Sequence, residues 1–241
     1  MKTALITGGT KGIGKAIALK FLQSGYEVVL NYRSDEASAL ATQEEFNMLG
    51  FCPVLLRADV SDEMQVRNMF KEFFSIYEKL DVLVNNAGVS KIKVIQDTTL
   101  SDWNKIFDNN VKSVFLTCRE VADKMVFSGG GSIINVSSIW GEVGASCEVA
   151  YSASKGAVIA FTKALAKELA PSNVRVNCIS PGVIDTEMNS HLTGEEMEEL
   201  ITTIPMGRIG TPEDVAEACF YLAECAYVTG EVLSVGGGFG K

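Results

Sequence analysis

Histidine is nearly missing from this chain of 241 residues, where His191 is the only one. A Ser-His-Asp triad or a histidine-rich metal site would have to be built on that single imidazole, and no metal-ligand spacing surrounds it. His191 reads as a solvated helix residue, no metal is expected, and the chemistry falls to other groups. Runs of Lys and Arg are also absent. With a net charge of −9 this argues against a nucleic-acid surface, and an acidic partner would need a local basic patch. The cysteines (Cys52, Cys118, Cys147, Cys178, Cys219, Cys225) contain no C-x-x-C pair, and no signal-peptide pattern precedes them. They are expected to be reduced thiols of a cytoplasmic protein, mostly core filler. No apolar run reaches membrane-spanning length. No Pro/Ser-rich linker, repeat or low-complexity tract divides the chain.

What is present is a regular alternation. Apolar strands are expected at 3–7, 27–31, 54–58, 81–85, 132–137, 174–179 and 231–235, with helices at about 12–24, 35–49, 62–78, 100–127, 151–170 and 211–223. Repeated β-α units with strands apolar throughout imply a parallel sheet covered by helices on both faces. The expectation is one doubly wound α/β domain of Rossmann type over residues 1–241, with about seven strands.

The first strand runs into Thr7-Gly8-Gly9-Thr10-Lys11-Gly12-Ile13-Gly14, which opens the first helix. In that position glycines allow close backbone approach, and the helix N-terminus faces a pyrophosphate. The spacing is T-G-x-x-x-G-x-G rather than the commoner G-x-G-x-x-G; without a ligand it would be only a tight turn. Cofactor choice should be written at the end of the second strand, where NAD enzymes place an acid on the ribose 2′-hydroxyl. Here the chain reads Asn31-Tyr32-Arg33-Ser34, with no carboxylate until Asp35. Arg33 and Lys11 are placed to bracket a 2′-phosphate, which points to NADP(H).

Tyr151 and Lys155 lie one helical turn apart on one face. A phenol with an ordinary pKa of roughly 10 transfers protons poorly near neutrality unless a nearby cation favours phenolate, and a lysine one turn away can supply it. Alone this spacing is common on solvated helix faces, so its context decides.

That context resembles the short-chain dehydrogenase/reductase family over essentially the whole chain. In the family's order stand the glycine turn, Asp59-Val60, Asn85-Asn86-Ala87-Gly88, Asn110, Ser138 thirteen residues before Tyr151, Tyr151-x-x-x-Lys155, and Pro181-Gly182-x-Ile184-x-Thr186. The resemblance implies an oxidoreductase that reduces a carbonyl with NADPH. It implies that Gly8, Thr10, Lys11, Gly12, Ile13, Gly14 and Arg33 hold the cofactor's phosphates. Asp59 and Val60 would contact adenine, Asn86, Ala87 and Gly88 would line the ribose, and Pro181, Gly182, Ile184 and Thr186 would orient the carboxamide. Tyr151 would give a proton to the carbonyl oxygen, Lys155 would lower the Tyr151 pKa and bind the nicotinamide ribose, Ser138 would bind the developing alkoxide, and Asn110 would hold a water in a proton relay. Homotetramers are usual in the family. Phe220, Tyr221, Leu233 and Phe239 would serve either that interface or the core.

Within the family, segments 204–208, 211–216 and 227–230 resemble the 3-oxoacyl-[acyl-carrier-protein] reductase branch of fatty acid synthesis. Many of its members carry carrier-docking arginines near the stretches that read here as 127–132 and 171–173, where this chain has none. Segments 139–149 and 182–188 resemble instead the reductases of 5-aminopentanone on elongation factor P. Glu142 and Glu148, if they face the cleft, would suit an amine-bearing ketone. An acidic helix within 186–202, with Met188, Leu192 and Met197 beneath it, is expected to flank the substrate as a flap. A reading of another class, a non-catalytic NADP-binding regulator, is opposed by the retention of Ser138, Tyr151 and Lys155.

Overall fold

The computed structural model describes residues 1–187 and 193–240. Met188, Leu192 and His191 lie outside the described residues. The strands are β1 (Thr3–Thr7), β2 (Glu27–Tyr32), β3 (Val54–Arg57), β4 (Val82–Asn85), β5 (Gly131–Val136), β6 (Val174–Pro181) and β7 (Val232–Val235). They form one seven-stranded parallel sheet in the order β3-β2-β1-β4-β5-β6-β7. The order reverses between β1 and β4, which are paired side by side. Ligands bind beyond the carboxyl ends of the strands at such a switch point.

Successive residues of each central strand serve opposite faces. Leu5, Val29, Leu83 and Ile133 join one apolar cluster, and Ile6, Val28, Leu30, Val84 and Ile134 join the other. The first is covered by α3 (Glu63–Ile76), α5 (Ser113–Phe127) and α7 (Val149–Leu169), the second by α1 (Gly12–Gln23) and α9 (Pro212–Glu224). Burial on both faces is why these strands read as continuous apolar runs without alternation. Phe220 of α9 stands edge-on to Phe21 at 5.4 Å and packs, half-buried, against the core, whereas Tyr221 beside it is 56% exposed. Phe239 packs on Trp140, and Leu233 is half-buried.

The helix expected over 100–127 is not continuous. It divides into α4 (Leu100–Phe107), a π turn at Asp108–Lys112, and α5. The extra residue in that turn drives Asn110 inward to near-complete burial, and π turns of this kind are frequent at functional sites. The physical reason is polar satisfaction: the Asn110 side chain accepts from the Val89 N–H at 2.8 Å and donates to the Val89 carbonyl and the Ser154 hydroxyl. Short α6 (Trp140–Val143) precedes α7, which begins two residues earlier than its apolar pattern suggests.

Candidate active site

A cleft of about 1210 Å³ opens at the switch point, lined by the turns after β1, β4, β5 and β6 and by the first turn of α7. The first of these turns is built for close approach. Gly12 takes φ +47°, and a Cβ there would point past Thr186 only. A Cβ on Gly14 would lie 2.2 Å from the Gly8 carbonyl oxygen, so no side chain fits where α1 meets the turn. The start of α1 has neither a side-chain cap nor an acidic residue in its first turn. Its first N–H groups therefore remain as donors beside the cleft, the chemistry that suits a pyrophosphate. Asn86 locks this turn to the next one, donating from its side chain to the carbonyls of Thr7 and Gly8, while the Thr7 hydroxyl accepts from the N–H groups of Asn86 and Ala87.

Gly8, Lys11, Gly12, Ile13, Asn86, Ala87, Gly88, Ser138, Tyr151, Lys155, Pro181, Gly182 and Thr186 all line this cleft. Thr10 and Gly14 do not line it: both are buried, and the Thr10 carbonyl accepts from the Thr42 hydroxyl. Ile184 turns into the core and its backbone bridges to Gly210. Val60 is likewise packed in the core, next to Asp59, which accepts from the N–H and hydroxyl of Ser61.

Both predicted phosphate-bracketing cations already face acids. Lys11 lies 2.6 Å from Asp35 and 3.7 Å from Glu187. The hydrogen bond from Lys11, with the Ser38 backbone, holds the Asp35 carboxyl down to about 2. Arg33 donates to Asn109 at 3.0 Å and stands 3.9 Å from Asp59. The carboxylate missing from the end of β2 is thus supplied three residues later, at the cap of α2 (Glu36–Met48), although it turns to Lys11.

Three side chains meet on the floor of the cleft. Tyr151 is buried; burial pushes its phenol up to about 12, a hydrogen bond with Ser138 pulls the other way, and the charge of Glu148 pushes up again. The expected lowering by Lys155 is therefore not the dominant influence: the Lys155 ammonium donates to the Val136 carbonyl at 2.8 Å and lies 5.7 Å from the centre of the Tyr151 ring. Burial draws Lys155 down to about 8, and Cys178 beneath it acts in the other direction. Gly88 lets the Asn110 amide oxygen and the Lys155 ammonium share one corner, since a Cβ there would lie 3.2 Å from the first and 3.4 Å from the second.

Beneath them a buried polar chain runs Thr117–Asn85–Asn135–Thr162, with separations of 2.7, 2.9 and 2.9 Å. It ties β4 and β5 to α5 and α7, and so fixes the helix that carries Tyr151 and Lys155. Asn85 stands in the Asn85-Asn86-Ala87-Gly88 motif, but nothing in local spacing marks Thr117, Asn135 or Thr162. The same holds for Ser90, whose hydroxyl donates to Glu148 across 58 positions of sequence. Among the described residues no group of three or more His, Cys, Asp or Glu side chains is arranged to hold a metal. No helix of the described residues is long and apolar enough to cross a membrane.

A fold with its cleft at the switch point and a Ser-Tyr-Lys floor defines a nicotinamide-dependent oxidoreductase. The chain belongs to the short-chain dehydrogenase/reductase family: residues 8–240 match the family model described as enoyl-(acyl carrier protein) reductase. Among its relatives, 3-oxoacyl-[acyl-carrier-protein] reductase FabG of Chlamydia pneumoniae is 39% identical over 239 residues, covering 98% of this chain and 96% of that protein. FabG of Staphylococcus aureus (strain Mu50 / ATCC 700699) is 37% identical, covering 98% and 97%. An uncharacterized oxidoreductase of Bacillus subtilis (strain 168), YmfI, is 41% identical over 241 residues, covering 99% and 98%. The protein is an oxidoreductase acting on the CH–OH/C=O group.

Proposed function

We propose that residues 1–241 form one NADP-binding domain that reduces 3-oxoacyl groups carried on acyl carrier protein to the 3-hydroxyacyl form, with NADPH. The observation that carries the reaction is the meeting of the Ser138 hydroxyl and the Tyr151 phenol in the cleft, with Lys155 one turn below. NADPH, when bound, supplies the hydride. The two hydroxyls bind the substrate's carbonyl oxygen, the position where negative charge develops. An alkoxide is a much stronger base than a phenolate, so the proton of a neutral Tyr151 passes to it downhill. Lys155, drawn down to about 8 by burial, resupplies the proton through a water relay, with Asn110 closing the same corner. The uncapped start of α1 supports phosphate binding, and Lys11 and Arg33 support the 2′-phosphate. The substrate is supported by the names of the Chlamydia and Staphylococcus relatives. With this reading go a cytoplasmic location, which reduced cysteines suit, and a homotetramer.

A second reading rests on Glu148, which lines the cleft beside Tyr151. A carboxylate there suits a ketone that bears an amine, such as 5-aminopentanone on elongation factor P. NADPH oxidation decides between them, with acetoacetyl carrier protein in one arm and ketone-modified elongation factor P in the other. Activity with the modified factor alone overturns the first substrate. Tyr151→Phe is expected to abolish turnover with either while leaving NADPH binding intact, and near-wild-type rates in that variant would sink the mechanism.

A further inference from the structure

Glu148 is the residue at the start of α7, one turn before Tyr151, and both face the same cleft. Its carboxylate is half-buried and is fixed from another element: the Ser90 hydroxyl, in the loop after β4, donates to it at 2.5 Å. The same loop is bound to the chain just before α7 through the Lys93 N–H and the Cys147 carbonyl, 2.7 Å apart. The nearby cations of that loop do not neutralise Glu148, because Lys91 and Lys93 both reach Asp102, at 2.5 and 2.9 Å. On the other side Glu142 accepts from Ser234, and across the cleft Lys11 and Glu187 face one another. Around Tyr151 itself stand Ser138 from the turn after β5, Lys155 on its own helix, and Cys178 of β6 beneath Lys155. An anchored carboxylate thus sits within one helical turn of the Tyr151 phenol, while the Lys155 ammonium is hydrogen-bonded to the Val136 carbonyl.

We infer that Glu148, positioned by Ser90, keeps Tyr151 in its neutral, proton-donating form and so biases the site towards carbonyl reduction over alcohol oxidation. The inference rests on the role proposed for Tyr151. A nearby carboxylate disfavours phenolate, and a neutral phenol is the form that reduction consumes. Oxidation of an alcohol needs the phenolate, which Glu148 opposes. Glu148 is a positioning residue in this sense, acting through Tyr151 and not on the reacting atoms.

The test is a pair of pH profiles, NADPH oxidation with acetoacetyl-CoA and NADP reduction with 3-hydroxybutyryl-CoA, in the wild type, Glu148→Gln and Glu148→Lys. The alkaline limb of reduction and the acid limb of oxidation should both move to lower pH, by roughly half to one unit in Glu148→Gln and further in Glu148→Lys. A residue with only a packing role would lower the rates without moving either limb. A second readout needs no substrate: the ¹³Cζ resonance of Tyr151, assigned by its loss in Tyr151→Phe, followed from pH 7 to 11. It should begin to shift at lower pH in Glu148→Gln than in the wild type. If Tyr151→Phe is inactive but neither the limbs nor the resonance move in the Glu148 variants, this inference falls and the mechanism stands. If Tyr151→Phe keeps its activity, both fall.

Discussion

The Lys155 ammonium lies 5.7 Å from the centre of the Tyr151 ring, and the oxygen it bonds is the Val136 carbonyl. The lysine is buried among strands and helix, and that burial draws it from its ordinary 10.5 down to about 8. Such a group costs stability. Below pH 8 the folded protein must hold a charge that the unfolded chain keeps in water. Between 8 and 10.5 the unfolded chain binds more protons, so stability rises with pH through that window. Lys155→Met should therefore unfold later than the wild type at pH 7, by about 1–2 kcal/mol after allowing for the lost hydrogen bond to Val136. The gap should close as pH climbs from 8 towards 10.5. Urea unfolding across this range reads it directly, and NADPH oxidation should meanwhile be lost.

Asp35 competes with any phosphate for Lys11, at 2.6 Å. Replacing it by Asn removes the charge and keeps a residue able to cap α2. Asp35→Asn should tighten NADPH by about threefold and leave NADH unchanged, since a surface ion pair contributes only up to about 1 kcal/mol. Arg33→Ala should weaken NADPH alone. Calorimetric Kd values for both nucleotides check the pair, and a preference of the wild type for NADH would remove the role given to Lys11 and Arg33.

Gly14→Ala would place its Cβ 2.2 Å from the Gly8 carbonyl oxygen and 2.6 Å from the Asn86 side-chain nitrogen. The backbone must move, at a cost of about 1–3 kcal/mol, and the turn that cradles the phosphates moves with it. Thermal unfolding and NADPH titration should both deteriorate. Gly194→Ala, where an added Cβ meets nothing within 4 Å, is the neutral control.

Asn135 is fully buried and serves Asn85 and Thr162 at once. In Asn135→Leu both partners lose a buried hydrogen bond, which should destabilise the protein by about 2–4 kcal/mol. Because the chain beneath the site positions α7, kcat should fall more than KM rises. Retention of full stability would show that the polar chain contributes little.

Much of this was legible without coordinates. Apolar strands spaced by helical segments imply a doubly wound sheet, and residues of the glycine turn line one cleft with Ser138, Tyr151 and Lys155. The helix expected over 100–127 contained no hint of its π turn, because the inward pull on Asn110 comes from Val89 and Ser154, far off in sequence. Arg33 and Lys11 read as available cations, because nothing local reveals that Asp59 and Asp35 would face them.

Local periodicity and spacing determined the element order, the parallel sheet and the one-turn separation of Tyr151 and Lys155, since these depend on neighbours within a turn or a strand. Packing alone decided where each charge ends. It turned Lys155 onto Val136, lifted Tyr151 to about 12 by burial, and brought Ser90 to Glu148 from another crossover. The physical reason is that hydrogen-bond partners and desolvation belong to groups joined only by the sheet, so the protonation state of a site is a property of the tertiary structure.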